Sequence, residues 1–215
     1  MKKRLIFINV VVLISVLIGF NCHNNRADKL YNNKKTDQRI ISFFTKKHRP
    51  ILKYQVEDCL DSELIVEVIA TGNYEYAKEN LIQEVKIVKA IKGEISSKLK
   101  GKIAYVVGNG RDEGGGKVST GFVNYMKKGD HYILFADSIV RENQYNSNVI
   151  ILAEFGCMRY LNISNDYSVA YDTDDATIEY GKVKESELFS NDEKTLKKMI
   201  DTKHEILSEL NVSMD

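Results

Sequence analysis

Little in this chain is in excess, and several things are scarce. Charge of one sign is missing: 31 Lys and Arg stand against 30 Asp and Glu. That balance excludes a global electrostatic pull toward nucleic acid or another acidic polymer. Tryptophan is absent and Pro50 is the single proline; neither scarcity carries a functional statement. Cysteine stops at Cys22, Cys59 and Cys157. No second Cys or His lies at ligand spacing near Cys59 or Cys157, so zinc finds no ligand set. The four histidines, His23, His48, His131 and His204, are scattered. They form no HExxH, no Cys-His pairing and no triad around a Gly-x-Ser-x-Gly. These gaps give the reading of a non-enzyme: no catalytic residue, no cofactor and no metal ligand is expected.

What is present begins with a leader. Lys2, Lys3 and Arg4 precede an apolar run from Leu5 to Phe20 that is interrupted by Asn9 and Ser15. Cations held on the cytoplasmic side with an apolar stretch behind them make a signal peptide. The run is shorter than the roughly 20 residues that span a bilayer, which sets it against an uncleaved anchor. Cys22 stands just past the run, after Gly19-Phe20-Asn21. A bacterial lipoprotein is cut before such a Cys and lipidated on it, and acyl chains there would tether the rest to a membrane without spanning it. The other reading of Cys22 is a stray thiol at the end of an ordinary secretory signal, leaving the protein secreted. Residues 1–22 are thus expected to be leader, with the chain exported to the cell envelope.

Behind the leader remain about 190 residues, enough for one domain with a buried core. With Cys22 lipidated, Cys59 and Cys157 are left in an oxidising compartment. A bridge between them would close a loop of about 100 residues and be worth ~4 kcal/mol in the chain-entropy account. Two separately buried thiols are the alternative.

Residues 23–50 are polar and basic and read as a tether, with Asn24, Asn25, Asn32 and Asn33 among many cations. Within it Ile40, Ile41, Phe43 and Phe44 adjoin Lys46, Lys47, His48 and Arg49. Such a segment either lies on an anionic membrane surface or forms a helical turn packed on the domain. Residues 51–215 make the domain. Leu64–Ala70 is β-branched and ends at Thr71-Gly72-Asn73, and 81–91 alternates, with Gln83, Val85, Ile87 and Lys89 on one face. Ile103–Val107, stopped by Gly108-Asn109-Gly110, then His131–Ala136 and Val149–Ala153 add three strands. Met158–Ile163 and Tyr167–Tyr171 read as edge pieces. Strands with turns between them and no interleaved helices predict an antiparallel barrel or sandwich. A C-terminal amphipathic helix follows over 190–210. It opens at Ser190-Asn191-Asp192-Glu193 with capping-box spacing, and Leu196, Met199, Ile200, Ile206, Leu207 and Leu210 form one apolar face.

Several local patterns invite chemistry and fall short. Gly108–Lys117 is glycine-rich, but Arg111 stands where a phosphate loop needs its first Gly and Val118 where it needs Ser or Thr; it reads as a mobile inter-strand loop. Asp172, Asp174, Asp175 and Glu179 lack the Gly and Glu of a calcium loop. Tyr125, Tyr132, Tyr145, Tyr160, Tyr167 and Tyr171 crowd the second half of the domain, either as a stacking face or as core with wet hydroxyls.

Three stretches carry a family likeness. Cys59–Val68 resembles the first strand of the netrin-like domain of the tissue-inhibitor-of-metalloproteinases family, with a Cys a few residues ahead. Val85–Gly93 is similar to that family's second strand, which reads apolar-Lys-apolar and ends in Lys-Gly. Gly129–Ala136 looks like its Gly-x-x-Tyr-Leu-Val-Phe-Ala strand, and Cys157 falls near the place of a bridging Cys. The resemblance covers about 55 to 170 and implies an OB-fold-like (netrin-like) β-barrel, mainly β. It does not bring the inhibitory group, a leading Cys-x-Cys, because Cys59 lies inside the chain and Thr120 precedes Gly121 where the family has a Cys. The expectation is therefore an exported, lipid-anchored, non-enzymatic binding module. Its partners are the membrane, through Cys22, and a protein or glycan, with no nucleic acid. The alternatives are a metalloprotease inhibitor of that family's type, an envelope enzyme with an unrecognised site, and a ligand barrel with an open lumen.

Overall fold

The computed structural model describes residues 40–42, 50, 52–77, 80–114, 117–119, 123–142, 147–154, 158–171 and 177–214. Cys22 and Cys157 lie outside these residues, so the lipidation and the Cys59–Cys157 bridge are not placed. In chain order the elements are β1 (Ile40–Ser42), α1 (Gln55–Asp61), β2 (Leu64–Ala77), β3 (Asn80–Lys92), β4 (Ile103–Gly114) and β5 (Lys117–Ser119). Then come β6 (His131–Glu142), β7 (Ser147–Leu152), β8 (Tyr160–Asn162), β9 (Ser168–Ala170), β10 (Thr177–Glu179), α2 (Tyr180–Val183), β11 (Leu188–Ser190) and α3 (Glu193–Glu209).

Five strands close on themselves. β3 pairs with β2 and β4, β4 runs parallel to β7, β7 returns antiparallel to β6, and β6 pairs with β2. Numbered within the barrel alone, this order is 1-2-3-5-4-1, the closed arrangement of an OB-fold-like barrel. One parallel contact, β4 to β7, closes the barrel, whose other four pairings are antiparallel. The interior is filled. Val66 and Val68 of β2 meet Val85 and Ile87 of β3, Ala104 and Val106 of β4, Leu134 of β6 and Ile150 of β7, all buried. An open ligand lumen of the kind larger barrels enclose is replaced here by packed side chains.

The core continues through one wall. On the outer side of β2 and β6, Ile65, Ile133 and Phe135 are as buried as the residues facing inward. They share one cluster with Leu52, with Cys59 of α1, and with Met199, Ile206 and Leu207 of α3. The amphipathic face read in the sequence thus packs on the domain. Its cap is shifted, however: the Asp192 carboxylate, not Ser190, accepts the Thr195 amide at 2.8 Å.

Four other expectations change. Thr71-Gly72-Asn73 does not end β2; the pairing skips from Ala70 to Tyr74 and then resumes, so the glycine marks a bulge. Gly72 has φ +82°, and a Cβ there would lie 2.6 Å from the Lys128 side chain, so only glycine fits. Lys89 leaves the face it was expected to share with Val85 and Ile87, because Val88 bulges between the Val68–Ile87 and Glu67–Lys89 pairs. The glycine-rich stretch is strand rather than loop as far as Gly114, where β4 pairs with β5. Ile40 and Ile41, expected on a membrane surface or in a helical turn packed on the domain, form β1, parallel to β5 and antiparallel to β10.

Candidate functional site

Side chains of a strand alternate between faces, so the inward Ala104 and Val106 of β4 direct Ile103, Tyr105 and Val107 outward. β7 does the same: Ile150 and Leu152 are buried, and Val149 and Ile151 face out. The registers align these residues. Tyr105 lies opposite Val149, which lies opposite Val140 of β6, and Val107 lies opposite Ile151. The result is an apolar outer face across β4, β7 and β6, aliphatic apart from Tyr105, in which Ile103 is 42% and Val140 43% exposed and the others are half-buried. An Ile-Ala-Tyr-Val-Val run is the composition of a strand covered on both faces. Ile103 and Val140 are among the few large apolar side chains left exposed in the described residues. Contiguous exposed aliphatic surface on a small domain marks a contact with another molecule.

The opposite wall, under α3, is sealed by a charged network. Lys203 is fully buried, and its ammonium donates to Glu187 Oε2 at 2.5 Å, Asp166 Oδ1 at 3.1 Å and the Asn165 carbonyl at 3.1 Å. The second oxygen of Glu187 accepts the Asn162 amide at 2.7 Å, and Asp166 Oδ2 faces His204 Nε2 at 2.8 Å. Burial pushes the Glu187 carboxyl up to about 7, and the adjacent Lys203 ammonium opposes that rise. The carboxyl most perturbed toward neutrality is therefore enclosed under the helix, where it ties α3 to the barrel rather than facing a substrate.

A second buried network holds residues 123–126 over one end of the barrel. Gln83 accepts the Met126 amide at 2.7 Å and donates to the Tyr160 hydroxyl, which donates to the Asn124 carbonyl at 2.5 Å. The Asn124 amide group reaches the carbonyls of Val183 and Ser186. The Tyr132 hydroxyl accepts from the Lys127 amide and the Asn162 side chain, and burial raises its pKa. Every group here has a partner, the condition under which buried polar residues rigidify rather than weaken a core.

The residues singled out from the sequence are dispersed. His131 meets Glu67 at 2.9 Å on the outer side of β2 and β6, and Glu67 also pairs with Lys89 at 3.2 Å. Asp130, its neighbour in sequence, instead accepts from Asn162 and Asn165. Cys59 is buried in α1, within reach of the Gln55 amide at 3.0 Å and the Met158 carbonyl at 3.7 Å. Tyr125, Tyr132 and Tyr160 are core, Tyr167 is exposed, and Tyr145 lies outside the described residues. So do Asp172, Asp174 and Asp175; among the described residues no group of three or more His, Cys, Asp or Glu is placed to hold a metal ion. A cleft of about 420 Å³ lies between α1 and α3, lined by Leu52, Val56, Leu60, Lys198, Thr202 and Glu205 among others. Its charges are mixed, with Lys53 and Lys198 beside Glu57, Asp61 and Glu205.

Sequence reasoning missed both the aliphatic face and the Lys203 network. The second had a signal. Lys203 falls four residues after Met199 and three before Ile206, on the apolar stripe of the helix, where a cation has to find a buried anion. No family model matches the chain, and no curated protein matches it in sequence.

Proposed function

We propose that this chain is an exported, lipid-anchored binding module of the cell envelope, tethered through Cys22 and docking a protein partner on the outer face of β4, β7 and β6. The observation that carries the reading is the exposure of Val140 and Ile103 on an outer face that also carries Val149, Val107 and Ile151. Of the residues named on this face only Tyr105 offers a ring and the rest are aliphatic, so a protein surface suits it better than a glycan. The filled barrel interior and the two partnered networks around Lys203 and Asn124 agree with a scaffold that presents surface instead of enclosing a substrate. The netrin-like affiliation belongs to the same proposal. Its three motif stretches fall on the α1–β2 junction, on β3 and on β6, all around one closed barrel.

Inhibition of the tissue-inhibitor type is the less favoured reading, because it needs the α-amine of a leading Cys. Cys59 stands inside α1, with its thiol turned into the core. The test is the migration of the protein in native gels of mild detergent extracts from its own cells. A Val140→Asp/Ile151→Asp double variant is expected to lose the slower, complexed band while keeping its thermal midpoint. Unchanged migration of the folded variant would contradict the proposal.

A further inference from the structure

The end of the barrel at the β3–β4 connection carries a second surface, of different chemistry. Between Lys86 and Lys102 the chain holds Lys86, Lys89, Lys92, Lys98, Lys100 and Lys102 against Glu94 alone. Two of these cations are occupied: Lys89 pairs with Glu67, and the Lys92 ammonium donates to the Leu60 carbonyl. Lys86, Lys98, Lys100 and Lys102 are exposed and form no ion pair among the described residues. Their direction is set by the fold. A short 3-10 turn, Ser97–Leu99, is capped by Ser96, and Ile95 and Leu99 pack against the core. With Leu99 turned in, Lys98 and Lys100 on either side of it are left in water. Gly101 then passes beside Lys86, whose Cε is 3.9 Å from the point where a Gly101 Cβ would lie, and Lys86 pairs across the strands with the exposed Ile103.

We propose that this end of the barrel docks onto an anionic phospholipid surface, with the four lysines against the headgroups and Ile103 at the level of the acyl boundary. Compact ammonium groups spread over a convex turn match a diffuse sheet of negative charge, which attracts each nearby cation separately. A discrete phosphate would call for a concave nest of amides or a fork of Arg. A polynucleotide would call for aromatic platforms, and residues 93–102 contain no aromatic residue. The surface lies at the opposite end of β3 from the β2–β3 turn and shares Ile103 alone with the face proposed for a protein partner. Vesicles contain no protein partner, so either proposal can fail alone.

The chain has no tryptophan, so Ile103→Trp in the full chain is a single reporter. It is reconstituted into vesicles of phosphatidylglycerol and phosphatidylcholine in equal parts, or of phosphatidylcholine alone. The expected result is a blue-shifted emission, quenched by brominated lipid, in the anionic vesicles only, and reversed by high salt. Lys98→Gln/Lys100→Gln/Lys102→Gln is expected to lower the docked fraction about fivefold per cation removed. Independently of any variant, acetylation of the wild-type chain is expected to be slowed at Lys86, Lys98, Lys100 and Lys102 on anionic vesicles. Equal emission and equal acetylation on the two vesicle types would overturn the proposal. So would a response to a soluble polyanion such as heparin with none to the vesicles.

Discussion

The two walls of this barrel are built from similar strands and treated in opposite ways. β2 and β6 carry apolar residues on both faces, and their outer face, with Ile65, Ile133 and Phe135, is covered and fully buried. β4 and β7 are nearly as apolar on both faces, yet Ile103 is left 42% exposed and Tyr105, Val107, Val149 and Ile151 are half-buried. The covered wall is also where polar groups are buried and satisfied. Lys203 locks α3 to Glu187 and Asp166, a pairing that fixes how the helix sits as much as it stabilises the packing. Among the described residues the C-terminal helix packs on the first wall, and only the second leaves large apolar side chains, Ile103 and Val140, exposed.

The largest expected effect comes from breaking the covered wall. Lys203→Ala leaves the Glu187 carboxylate enclosed without its cation, and removing one member of a buried ion pair costs about 3–5 kcal/mol. Urea unfolding at neutral pH reads the loss. Part of it is expected to return in mild acid, where Glu187 can take a proton.

Next in size is the pH dependence of the intact network. Burial lifts the Glu187 pKa from 4.5 to about 7, so the folded chain holds this proton more tightly than the unfolded one. A group shifted in that direction stabilises the fold fully below about pH 4.5, and its contribution is lost as the pH rises through about 7. The wild-type chain is therefore expected to lose urea midpoint between pH 5 and pH 8 relative to Glu187→Gln, which has no proton to release. Identical pH profiles for the two proteins would remove Glu187 from the account.

The smallest stability effect is expected on the bare wall. Val140→Ser, at a position 43% exposed, should change stability by no more than about 0.5 kcal/mol. A larger loss in the isolated protein would mean that the face is packed after all, which would undo the contrast between the walls.

Much of the barrel was legible because its signals are local. The alternation of β3 places Gln83, Val85 and Ile87 inside, as their burial bears out, and the stripe from Leu196 to Leu207 gives α3. Bulges were not legible. Gly72 has the look of a strand end, and only the pairing with β3 reveals that the strand resumes at Tyr74. The parallel closure of β4 on β7 joins residues more than forty positions apart, and no spacing in the sequence reports it. The bare face was hidden for a related reason: a two-sided apolar strand announces that both faces want cover, without saying which one the fold itself provides.

The most direct measurement compares the two walls in the cell. Single cysteines replace Val140 on the bare face and the exposed Lys197 on the outer side of α3, and a membrane-impermeant maleimide is applied to envelopes and to purified protein. The account predicts that Val140→Cys reacts when purified and is shielded in the envelope, while Lys197→Cys reacts in both. Equal reaction of Val140→Cys in the two preparations would contradict it.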